Sequence, residues 1–87
     1  MYEEQVSVGG SSGLNGYRSA LVATTASRYA SDITCSSQGR PVNAKDVMSV
    51  MNLRAQSGTT VHVMATGPDE TRAVRALVDV LSAAEPA

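Results

Sequence analysis

Thr59-Thr60-Val61-His62-Val63-Met64-Ala65-Thr66-Gly67-Pro68-Asp69-Glu70 decides the class of fold, because the hydrophobic period changes within it. Up to Thr66 the residues alternate: Val61, Val63 and Ala65 point one way, while Thr60, His62, Met64 and Thr66 point the other. That is the pattern of a strand with one wet face. Gly67-Pro68 breaks it. Pro68-Asp69-Glu70 then opens a helix with acidic residues at its positive end. Val74, Leu77, Val78 and Leu81 follow at i, i+3, i+4 and i+7, an amphipathic stripe. A half-wet strand leading into a one-faced helix implies a sheet with one solvated face and one face under helices.

Outward from this stretch, Glu4 to Val8 alternates weakly, with Val6 and Val8 on one side, and reads as a short strand. Gly9-Gly10-Ser11-Ser12-Gly13 is a loop by composition. From Asn15 or Gly16 to Ala30 no proline intervenes, and the run exceeds a typical strand. A helix is expected there, although its Thr and Ser content makes the propensity only moderate. Asp32 to Ser36 alternates as a strand, with Ile33 and Cys35 on one side. Gln38-Gly39 turns tightly into Arg40-Pro41-Val42, a hairpin whose return strand belongs at a sheet edge because Pro41 cannot donate to a ladder. Asp46 is a good N-cap for about two helical turns from Val47 to Leu53. The order β-α-β-β-α-β-α is that of an α+β open-faced β-sandwich. The 87 residues make one small domain, 1–87, whose small and polar last stretch, 82–87, is expected to fray.

Composition narrows the classes of function. A single cysteine, Cys35, excludes an internal disulfide, and no Cys/His set offers a metal site. Cys35 falls on the apolar side of its strand and reads as inert core. The formal charge of −1 is scattered along the chain, without the basic face of a nucleic-acid binder. No apolar run approaches the ~20 residues needed to span a bilayer. Met1-Tyr2-Glu3-Glu4 lacks the basic-then-apolar pattern of a signal peptide. A cytoplasmic domain without nucleic-acid or membrane contact is expected. The glycine-rich loop is neither a P-loop nor a dinucleotide fingerprint.

Gly13-Leu14-Asn15-Gly16-Tyr17-Arg18-Ser19-Ala20 resembles the active-site loop of the HPr family, phosphocarriers of the bacterial phosphoenolpyruvate-dependent sugar phosphotransferase system. That family writes the loop Gly-Leu-His-x-Arg-Pro-Ala, and the histidine carries the phosphoryl group. Three more segments extend the likeness: Ala26-Ser27-Arg28-Tyr29 before Ser31-Asp32-Ile33; Gly39-Arg40-Pro41-Val42-Asn43-Ala44-Lys45 before Val47-Met48 and Val50-Met51; and Gly67-Pro68-Asp69-Glu70 with Ala73-Val74 and Ala76-Leu77. The resemblance implies a four-stranded antiparallel sheet carrying three helices on one face. It also implies that Asn15 stands at the phosphohistidine position, Tyr17 at the arginine and Arg18 at the proline. Asp46 stands where Gram-positive relatives carry a regulatory phosphoserine.

Asn15 cannot do the histidine's chemistry, because an amide nitrogen is neither basic nor nucleophilic near neutral pH. It can cap a helix or serve in a turn. His62, the one histidine, falls mid-strand on the polar face, away from any helix-start anion site. Asp46 either caps the short helix or mimics phosphoserine with about one negative charge against roughly −1.5 to −2; both readings stand. Met48 and Met51, at i and i+3, either form an adaptable docking patch or fill the core, with at least one expected in the core. Arg18 reads as a solvated arginine that restores some of the lost charge. The chain is therefore expected to be a regulatory or scaffolding binding module rather than an enzyme, without cofactor or metal, and to act as a monomer. Its partner would be another protein, such as a transcription regulator or a metabolic or biosynthetic enzyme. The surface expected to carry this is Asn15, Gly16, Tyr17, Arg18, Leu21, Val47, Met48 and Met51. A carrier modified elsewhere, in the Ser11-Ser12 loop or the Ser82–Ala87 tail, is the other reading.

Overall fold

The computed structural model describes residues 1–84. Its elements are β1 (Tyr2–Ser7), α1 (Gly16–Ala26), β2 (Asp32–Ser37), β3 (Arg40–Asn43), α2 (Val47–Met51), β4 (Thr60–Thr66) and α3 (Glu70–Ser82). The sheet order is β1-β4-β2-β3, with every pairing antiparallel. The class, the element order and the three helices over one face are as expected.

β4 is central, and its alternation sets the register. Val61, Val63 and Ala65 are buried under the helices. Val61 lies opposite Val6, Val63 opposite Cys35, and Ala65 opposite Ile33. Thr34, Ser36, His62 and Met64 occupy the other, wetter face. The β2–β3 hairpin turns through Gln38 (φ 54°) and Gly39 (φ 77°), and two positive φ values in sequence make the primed turn that matches strand twist. β3 pairs with β2 alone, so Pro41 does sit on an edge. Val22, Val50, Val74, Leu77 and Leu81 close the core from the helix side. With neither Phe nor Trp in the chain, branched aliphatics do this work. Cys35 lies among them, and burial pushes its thiol up to about 12, which leaves it protonated and inert near neutral pH.

Two expectations need correction. α1 stops at Ala26 rather than Ala30: the Ser27 hydroxyl donates back to the Ala23 carbonyl (2.8 Å), and Ala30 and Ser31 turn their N–H groups to the Asp69 carboxylate (both 3.0 Å). Asp69 therefore makes no side-chain cap on α3; Glu70 reaches back to the Gly67 N–H instead (3.0 Å). Neither methionine of α2 fills the core, since Val50 and Leu53 point inward while Met48 is 63% and Met51 37% exposed. Ser82 closes α3, and the Ala83 carbonyl accepts a hydrogen bond from Arg18. Residues 85–87 lie outside the described residues.

Candidate docking surface at the start of α1 and α2

The loop before α1 is shaped by its backbone. Gly9 N–H donates to Leu81 O (2.9 Å), and Leu14 N–H donates to Ala55 O (2.8 Å). Gly13 has φ 64°, and a Cβ there would stand 2.7 Å from Ala55 O. Only glycine fits that combination of conformation and close approach. Leu14 is buried, which fixes the point where the chain emerges into Asn15.

Asn15 is the N-cap of α1. Its Oδ1 accepts from the Arg18 N–H (2.8 Å), and its carbonyl accepts from Ser19 N–H (2.9 Å). The amide oxygen thus satisfies one of the helix's orphan donors, the physical reason Asn is favoured here. Asn15, Gly16 and Tyr17 are exposed, Tyr17 at 55%, and Leu21 is half-buried one turn on.

Asp46 does the same for α2: its Oδ1 accepts from Met48 N–H (3.3 Å), and its Oδ2 accepts from the Ser49 hydroxyl (2.7 Å). Val47 is half-buried, α1 packs against α2, and Met48 and Met51 are exposed on that adjoining helix.

Arg18 departs from expectation. It is 2% exposed, neither a solvated side chain nor part of the outer surface. Its Nη1 donates to Gly9 O (3.0 Å) and Leu81 O (2.9 Å), and its Nη2 to Ala83 O (3.0 Å), while Nε has no partner. No carboxylate forms an ion pair with it among the described residues. Leu81 and Ala83 lie at the C-terminal end of α3, where unpaired carbonyls and the helix dipole favour a cation. The burial was signalled in the sequence, because Arg18, Val22 and Ala26 recur at i, i+4 and i+8 on one face of α1.

His62 sits on the open sheet face, with Nε2 2.6 Å from Glu3 Oε1. It is remote in topology from the start of α1. No cluster of three or more His, Cys, Asp or Glu with metal-binding geometry occurs among the described residues, and no helix there is long and apolar enough to cross a membrane.

Fold and loop together define an open-faced α+β sandwich whose first helix begins at an exposed, side-chain-capped turn. A family model described as "PTS HPr component phosphorylation site" matches residues 2–83. The chain is 39% identical over 80 residues to the phosphocarrier protein HPr of Xylella fastidiosa (strain Temecula1), covering 92% of this chain and 90% of that one. It is 38% identical over 78 residues to the HPr-like protein Crh of Halalkalibacterium halodurans, covering 90% and 93%. The crystal structure of HPr-C-His from Thermoanaerobacter tengcongensis superposes with a TM-score of 0.88 at 36% identity, over 93% of this chain and 91% of that one. The chain belongs to the HPr family.

Proposed function

We propose that this protein is a regulatory or scaffolding binding module of the HPr family, not an enzyme and unable to carry phosphate on histidine, with Asn15 at the phosphohistidine position. The observation that carries the reading is the pairing of an inert capped turn with uncovered apolar groups. Asn15 is committed to the Arg18 amide, whereas Tyr17, Met48 and Met51 are exposed on two helices that pack together. An amide in that position offers no nucleophile. Methionines are polarisable and adaptable, and suit a surface that meets a protein partner.

The docking surface is Asn15, Gly16, Tyr17, Leu21, Val47, Met48 and Met51. Arg18 serves it from beneath by holding the preceding loop to the end of α3. Asp46 supplies a fixed negative charge at the start of α2, so binding is constitutive and set by abundance rather than by phosphorylation. The partner class is a transcription regulator or a metabolic or biosynthetic enzyme, engaged by one copy of this chain in the cytoplasm.

Incubation with phosphotransferase enzyme I and labelled phosphoenolpyruvate tests the first half of this reading: no acid-labile label is expected. Any label on the wild-type chain overturns it. The second half requires that Met48→Asp with Met51→Asp abolish a complex that the wild type forms with a defined regulator, at unchanged Tm.

A further inference from the structure

A second site lies outside the docking surface. Between the Gln38-Gly39 turn and the segment 53–59 that joins α2 to β4 is a cleft of about 610 Å³, within the usual range of roughly 300–1,000 Å³ for small-molecule sites. Arg40 and Arg54 line it together with Gln38, Gln56, Ser57 and Thr59, and no carboxylate lines it. In a chain of net charge −1, two guanidiniums without an acidic neighbour mark a site that favours an anion. Arg40 uses one Nη2 contact, to Asn52 O (3.3 Å), and the Arg54 side chain has no partner among the described residues.

The backbone fixes how Arg54 is presented. Arg54 has φ 51°, the left-handed region where glycine is at ease and a side chain is strained. A left-handed residue also commonly ends a helix, and Arg54 N–H donates to Met51 O (3.0 Å) at the end of α2. The segment is otherwise well anchored: Leu14 N–H binds Ala55 O, the Ser57 hydroxyl binds Gly10 O, and Gly58 N–H binds Val8 O. Arg54 is thus presented from a fixed frame.

We infer that this cleft binds a small phosphorylated, hydroxyl-bearing metabolite. Arg40 and Arg54 would grip the phosphomonoester dianion, since the guanidinium fork matches phosphate oxygens in pairs. The side-chain amides of Gln38 and Gln56 would face the ligand's hydroxyl groups, while the Ser57 hydroxyl stays on Gly10 O and the Thr59 hydroxyl on Gln56 N–H. The inference is independent of the docking surface.

The test is amide-resolved NMR titration of the whole chain with inorganic phosphate and with glucose 6-phosphate, at constant ionic strength and with chloride as control. Saturable shifts are expected at 38–40 and 54–59, with glucose 6-phosphate saturating at a concentration at least tenfold below phosphate. Arg40→Gln with Arg54→Gln should abolish saturation. Arg54→Gly relieves the strained backbone and should raise Tm while weakening binding at least tenfold, which separates loss of the site from loss of the fold. Shifts that chloride reproduces, shifts centred on Gly16–Ser19, unchanged binding by Arg54→Gly, or a phosphoserine peptide that outcompetes the sugar phosphate would each overturn the inference.

Discussion

The starts of α1 and α3 pose the same problem in chain physics and solve it in opposite ways. Each helix follows a glycine-containing turn, and each carries an Asx residue at the N-cap, Asn15 and Asp69. Asn15 caps its own helix, three residues ahead. Asp69 gives its carboxylate to residues 38 and 39 positions away, accepting from the Ser31 N–H and hydroxyl (3.0 and 2.6 Å) and from Ala30 N–H. The α1 cap is local, so the tertiary tie at that end falls to Arg18. The α3 cap is the tertiary tie. A good capping residue therefore marks a helix start without saying which donors it will serve.

Removing the α1 tie should have the largest effect. Arg18→Ala takes the guanidinium from three carbonyls, of which Leu81 O keeps the Gly9 N–H, and is expected to lower stability by about 3 kcal/mol, read by urea unfolding. Wild-type stability in that variant would mean that the carbonyls find water at no loss. Gly13→Ala comes next: the φ of 64° and the approach of Ala55 O should together cost about 2 kcal/mol in the same assay. Asn15→Ala and Asp46→Ala each remove a local cap, and each should cost about 1 kcal/mol. If Asn15→Ala were neutral, the contrast between the two helix starts would collapse.

Asp69→Asn removes the charge from the α3 clasp, and its effect, present at neutral pH, should shrink in acid. Hydrogen bonds from the Ser31 hydroxyl, then from Ala30 N–H, hold the Asp69 carboxyl down at about 2. Its folded value lies below the unfolded one of roughly 3.9. The stability it contributes is therefore full above pH ~4 and is lost as pH falls through about 2. Wild-type Tm should drop across that window, and the Asp69→Asn curve should run flatter there. Parallel curves would show that the clasp does not depend on the charge.

Much of this was readable in the chain. β4 declared itself because a period of two over seven residues has no helical counterpart, and Gln38-Gly39 declared the hairpin because its turn requires positive φ twice. The family loop placed the start of α1. What escaped was long-range. Arg18 lies on the buried stripe with Val22 and Ala26, but a charge alone suggests solvent, and the carbonyls that accept it are 63 and 65 residues away. That the Asp69 carboxylate turns to Ser31 was equally out of reach, because the two are 38 residues apart. α2 was ambiguous by arithmetic: Met48 and Met51 share the i, i+3 spacing of Val50 and Leu53, and five residues cannot say which stripe turns inward.

Arg18 also bears on how the chain folds as it is made. The guanidinium is synthesised before its acceptors at Leu81 and Ala83, just as β1 must wait for β4 to supply its only neighbour in the sheet. Until α3 is complete, a charged side chain on the inner face of α1 lacks two of its three carbonyl acceptors and stays in water. The loop that presents Asn15 and Tyr17 is then unpinned, and a nascent chain cannot display the finished surface. The finished surface depends on the last turn of α3.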